Sequence, residues 1–189
     1  MNFVELIKSR RTIRKFLQKP ISKEQLLSYI DAARVAPSAA NMQPLKYVAV
    51  NSPEMNNRIF PLVKWAGYLA PHYNPKDDER PTAYIIVCVD KNIKSNGADM
   101  DIGASVENII LSALSDGVGA CWMGAIDRAG IVEEINLPEN LEISCLVALG
   151  YPKENPKEVE LDESVKYYLE DDTLCVPKRS MDEVLLKIF

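Results

Sequence analysis

The run KSRRTIRKF, Lys8 to Phe16, sets five basic residues among nine in a chain whose acidic residues (27) outnumber its basic ones (22). Within it, Arg10, Arg11, Thr12 and Arg14 bring three guanidiniums and a hydroxyl into five positions. That donor set suits a phosphate, because arginine offers planar, charge-assisted and often bidentate hydrogen bonds. The simpler alternative is a solvated basic helix end that complements the negative end of the helix dipole. A second basic pair, Lys178 and Arg179, precedes Ser180, which with Glu183 forms a capping box. A helix N-terminus there is another place that favours anions. The net charge of −5 disfavours a nucleic-acid binder, so the local basic cluster points to a small anion.

Two further stretches could do chemistry. In APSAANMQP, Ala36 to Pro44, small residues admit a second backbone or a flat ring, while Ser38, Asn41 and Gln43 supply neutral hydrogen-bonding groups. By itself it is a polar helix-to-strand loop. In GVGACWMG, Gly117 to Gly124, the glycines are spaced G-x-G-x4-G and follow a helix, whereas the dinucleotide fingerprint is G-x-G-x-x-G after a strand. A Rossmann reading is rejected, and the chain holds no Walker A sequence. Cys121 could pair with His72 as nucleophile and base, but no third group orients the base, so a structural thiol is the better reading. Trp122 either packs or, flanked by glycine, lines a flat ligand.

The four cysteines, Cys88, Cys121, Cys145 and Cys175, include no C-x-x-C pair and read as reduced, buried thiols of a cytoplasmic protein. One histidine makes a Cys/His zinc site a poor expectation, and no metal is expected. The start MNFVELIKSRR has no apolar h-region, and no apolar run approaches a membrane span.

The elements that must position these residues read as one domain over 1–189. A helix is expected from Asn2 to Ser9 with Phe3, Leu6 and Ile7 on one face, and another from the Ser22–Gln25 capping box towards Pro37. KYVAV and TAYIIVCV read as strands, the second buried, and NSPE starts a helix. Residues 67–81, with three prolines, read as a long loop and a plausible wall of a site, where Trp65, Tyr68 and Tyr73 are candidates to stack on a ligand. Asp99 to Ser115 reads as a helix apolar on most sides, suited to a monomer core or a two-fold interface. Asp127 caps a short helix, ISCLVALGY reads as the last core strand, and Glu154 to Asp172 reads as irregular, solvated acidic surface. The terminal helix from Ser180 is expected to turn Val184, Leu185 and Ile188 inward. Strands and helices that mix without strict alternation predict an α+β fold.

Taken in order, RRTIRKF, PSAANMQP, DIGASVENIILSALSDGVGACWMG and VPKRSMDEVL resemble the nitroreductase family of FMN-dependent oxidoreductases over nearly the whole chain. Thr12 stands where the family pattern has Ser. The resemblance implies a three-layer fold with a mixed, mostly antiparallel central sheet flanked by helices, and a homodimer with FMN sites shared between subunits. It implies that Arg10 and Thr12 hold the FMN 5′-phosphate with Arg11 from the same turn, and that Lys178 and Arg179 close on it. Arg14 would reach the pyrimidine edge of the ring. Pro37, Ser38, Ala39 and Asn41 would come from the other subunit, with Gln43 in the same loop. Cys121, Trp122, Met123 and Gly124 would run along the ring. NADH or NADPH would be the reductant, and a nitroaromatic, quinone or similar small molecule the acceptor, in a ping-pong cycle without a side-chain nucleophile. The alternatives are an FMN storage or sensor protein and an FMN-dependent dehalogenase-like relative; the short chain argues against the lid segments of the latter.

Overall fold

The apolar run at Ala83–Asp90 forms strand β3, seven of whose eight residues are buried. Its side chains alternate between two cores, as the period of a strand requires. In the computed structural model, which describes residues 2–189, Ile85, Val87 and Val89 face one core, and Tyr84, Ile86 and Cys88 face the other. The first core is closed by helices α2 (Lys23–Arg34) and α4 (Asp99–Ser115), and the second by α3 (Pro53–Ile59) and α5 (Arg128–Ile135). The result is three layers.

The central sheet adds β1 (Phe16–Leu17), β2 (Leu45–Val50), β4 (Gly119–Met123) and β5 (Leu141–Pro152). Strand β5 pairs with β1, β3 and β4, and β2 pairs with β3, all antiparallel. A parallel bridge from Thr12 to Ala120 makes the arrangement mixed. The α+β expectation therefore holds, with helices on both faces of a mixed sheet.

Local chemistry explains where the helices begin. Ser22 Oγ accepts from the Gln25 amide at 3.1 Å while Gln25 Oε1 accepts from the Ser22 amide at 3.1 Å, a reciprocal cap. Asp127 accepts from the Gly130 amide at 3.1 Å and opens α5. Helix α1 (Phe3–Ser9) is capped by Asn2, yet buries no residue against the rest of the chain.

Two expectations are corrected. The acidic segment after Pro152 is not irregular: β6 (Lys157–Glu160), β7 (Tyr168–Glu170) and β8 (Thr173–Lys178) form a second sheet in the order β6-β8-β7, in which Leu174 and Cys175 are buried. The terminal helix is a single turn, α6 (Met181–Val184), and Val184, Leu185 and Ile188 are exposed rather than inward. Its capping box forms, but one turn without a packing surface does not propagate.

The basic segment is held close by two glycines that pair with each other across β4 and β5, Gly119 and Gly150. A Cβ on Gly119 would stand 2.7 Å from Ile13, and one on Gly150 2.7 Å from Phe16. Gly119→Val is therefore expected to destabilise the fold by about 1–3 kcal/mol through overpacking. A chemical denaturation midpoint equal to wild type would contradict the close approach.

Candidate functional site

Thr12 and Ile13 lie along the start of β4: the Ile13 amide donates to the Ala120 carbonyl at 3.0 Å. Ile13 and Phe16 are buried, which anchors the segment by its apolar side and leaves Thr12 and Arg14 partly exposed. A cleft of about 150 Å3 opens here, lined by Arg10, Arg11, Gly119, Ala120 and Glu154 among others. Arg10 Nε stands 3.8 Å from Glu107 on α4, a long contact that leaves most of the guanidinium's donors unused. Arg11 is committed elsewhere. Its Nη1 donates to the carbonyls of Lys8 at 2.8 Å and Arg10 at 2.6 Å, and its Nη2 pairs with Glu158 on β6. That side chain fixes the turn; only its buried Nε lacks a partner.

The Arg14 guanidinium lies over the Tyr167 ring, 4.6 Å from its centroid, and Tyr167 in turn stands 4.9 Å from the Tyr68 ring. Of the three aromatics expected near a ligand, Tyr68 is exposed, whereas Trp65 and Tyr73 are buried. Trp65 stacks on Phe60, so it packs.

Glu154 is the residue that sequence reasoning missed. One carboxylate oxygen accepts from the backbone amides of Arg14 and Lys15, and the other from the Tyr73 hydroxyl. A single half-buried side chain thus ties the basic segment to the 67–81 loop. Burial, and then the bond to Glu154, push the Tyr73 phenol upward. Nothing local marks Glu154 out from its acidic run, because its partners lie up to 140 residues away.

Strand β4 continues the site through Cys121, Trp122 and Met123 to Gly124. Cys121 and Met123 are buried, whereas Trp122 faces outward at 45% exposure and Gly124 has open space where a Cβ would stand. Burial pushes the Cys121 thiol up to about 11 against the opposing pull of Arg14. A thiol so placed is neutral near pH 8 and is a poor nucleophile. The folded protein is expected to leave Cys121 unmodified by iodoacetamide at pH 8, whereas the denatured chain is labelled there. Labelling of the folded chain at the rate of a free thiol, read by peptide mapping, would contradict this burial. No group of Cys, His, Asp or Glu suited to a metal ion occurs among the described residues.

Lys178 and Arg179 stand at the end of β8, and Arg179 is paired with Glu183 at 2.9 Å. Their link to the basic turn is indirect, through β6, whose Glu158 pairs with Arg11 and lies opposite Val176 of β8.

Residues Pro37, Ser38, Ala39, Asn41 and Gln43 form the turn between α2 and β2. Three non-glycine residues there lie in the left-handed region: Ala40 at φ 52°, Asn41 at 53° and Gln43 at 51°. Such backbone is costly and persists only where surrounding bonds determine it. Ser38 Oγ accepts from the Gln43 amide at 2.9 Å, and Gln43 Nε2 donates to the Asn41 carbonyl at 3.2 Å. This turn meets α4 at Asp101, whereas Arg10 meets it at Glu107. Six helical residues, about 9 Å along the axis, separate the two contacts. The chain brings together Arg10, Thr12, Arg14 and residues 121–124, whereas the 37–43 turn meets α4 at a different point.

The donors left free at the basic turn, two guanidiniums and a hydroxyl, fit a phosphate-bearing group. The exposed indole and open glycine at the end of β4 admit a flat one.

Comparison with known proteins gives a consistent result. The Nitroreductase family profile matches residues 7–151. A protein of Archaeoglobus fulgidus, named for an inferred NADH dehydrogenase/NAD(P)H nitroreductase activity, is 32% identical over 167 residues, covering 85% of this chain and 91% of its own. The crystal structure of a Parabacteroides distasonis protein with the same inferred description superposes with a TM-score of 0.70 at 26% identity, covering 90% of this chain and 99% of that one. A Desulfovibrio desulfuricans protein, inferred to be a nitroreductase and solved in complex with FMN, superposes with a TM-score of 0.72 over 100% of this chain and 97% of its own. At 22% identity that last likeness speaks to the fold alone.

Proposed function

We propose, from the premise that the chain belongs to the nitroreductase family, that it is an FMN-dependent oxidoreductase. It would take electrons from NADH or NADPH and pass them to a nitroaromatic, a quinone or a similar flat acceptor. The observation that carries this reading is the bridge from Thr12 to Ala120, which seats a cationic turn against the strand that bears Trp122 and leads into Gly124.

FMN, when bound, supplies the redox-active ring and takes part in hydride transfer. Arg10 and Thr12 would bind its phosphate, with Lys178 and Arg179 approaching from the end of β8. Arg14 would place a fixed positive charge against the ring, stabilising the charge that reduction adds there. Residues 121–124 would run beside the ring. Cys121, buried and neutral, takes no part as a nucleophile. Arg11, already bonded to two carbonyls and to Glu158, would hold the turn in shape.

The separation of the 37–43 turn from the basic turn along α4 supports a site completed by a second copy of the chain. Pro37, Ser38, Ala39, Asn41 and Gln43 of one copy would then approach the ring held by the other. The same site would serve reductant and acceptor in turn. Reduced, buried cysteines favour a cytoplasmic setting for this chemistry.

Steady-state oxidation of NADH or NADPH with an added quinone tests the reading. Double-reciprocal plots at several quinone concentrations are expected to be parallel, and sedimentation to show a dimer. Absence of turnover from an FMN-loaded protein would leave it a binder and not an enzyme.

A further inference from the structure

We infer that Asp101 and Lys94 are a positioning pair that holds the 38–43 turn in its strained shape, so that it can complete the FMN site of a partner copy. The inference rests on the reading above. Asp101 is 3% exposed, at the third position of α4. A carboxylate there can serve the free amides of its own helix, and α4 lacks a side-chain cap at Ala98. Asp101 instead bonds to groups outside its own helix. One oxygen accepts from the Ala39 amide at 3.2 Å, and the other pairs with Lys94 Nζ at 2.7 Å.

Burying a carboxylate is costly unless it is paired and hydrogen-bonded, so this arrangement calls for a reason. The turn supplies one. Residues 39–43 are exposed and bury no apolar side chain, so packing does not hold Ala40, Asn41 and Gln43 at positive φ. Within the turn, the Ser38 and Ala39 carbonyls accept from the Asn41 and Met42 amides at 2.9 and 3.1 Å and Gln43 bonds to Ser38 and Asn41, while Asp101 ties the turn to α4 through the Ala39 amide and Ser38. Lys94, with its side chain 14% exposed, keeps the carboxylate ionised and aimed. Burial opposes that ionisation, and the bonds from Lys94 and Ser38 outweigh it, holding the Asp101 carboxyl below its usual range. Asp101 touches neither cofactor nor acceptor in this scheme; it acts through Ser38 and Ala39.

Two variants of the full-length protein, Asp101→Asn and Lys94→Gln, test the pair. Each is expected to weaken FMN binding about tenfold, read by quenching of flavin fluorescence, while far-UV circular dichroism and the dimer are retained. Should Asp101→Asn fail to fold, the less buried Lys94→Gln decides. Folded variants that bind FMN as tightly as wild type would overturn the inference. A wild-type protein that does not bind FMN at all would instead overturn the functional reading on which it rests.

Placement across the interface has its own readout. Co-expressed, differently tagged Arg10→Ala and Asp101→Asn chains form mixed dimers with one site carrying both changes and one carrying neither. One wild-type-affinity site per mixed dimer is expected. If the turn served its own chain's site, each site would carry one change and no such site would remain, which would overturn the inference.

Discussion

Arg10→Ala is expected to weaken FMN binding by roughly 10- to 100-fold and to yield protein purified largely without flavin. The magnitude follows from losing charge-assisted hydrogen bonds to a phosphate, about 1.5–3 kcal/mol. Arg10 is the sharpest choice because its contact with Glu107 is long, at 3.8 Å, so the guanidinium does little for the fold that another contact would have to replace. The affinity should therefore fall while the thermal midpoint stays near that of wild type. An unchanged flavin content would remove Arg10 from the phosphate site.

Arg14→Ala is expected to act on potential more than on affinity. Reduced flavin carries negative charge at its pyrimidine edge, and a fixed cation there stabilises the reduced form and raises the potential. Removing the cation must then lower it, by about 30–60 mV for a two-electron couple if the interaction is worth roughly 1.4–3 kcal/mol. The structure keeps that charge available. Glu154 bonds to the backbone amide of Arg14 and not to its guanidinium, and the Tyr167 ring beneath it attracts the cation without neutralising it. A dye-equilibrated redox titration reads the shift, and a potential identical to wild type would contradict the role of Arg14.

The parts of this site that could be read in the sequence are those whose information is local. The basic turn announces itself by residue type within five positions. Helix α4 does so by an apolar period sustained from Asp99 to Ser115, and its bounds agree with expectation. The caps at Ser22 and Ser180 are likewise a matter of residues three apart. What escaped depends on distant partners. Glu154 and Asp101 look like any surface acid, since their roles are set by Tyr73, Arg14 and Ala39, 62 to 140 residues away. The second sheet was hidden by strands of four and three residues in an acidic run, β6 and β7, both of which pair with the later six-residue β8 at its centre. The tail misled for the opposite reason. Its capping box is real, but an apolar period says only that residues need cover, and the described residues leave Val184, Leu185 and Ile188 exposed.

The visible absorption spectrum of the freshly purified protein, recorded before and after anaerobic addition of NADH or NADPH, shows whether the chain holds a reducible FMN. A flavin spectrum that bleaches with either nucleotide is expected. A protein that stays colourless after incubation with FMN would contradict it and leave the turn of Arg10, Thr12 and Arg14 without its ligand.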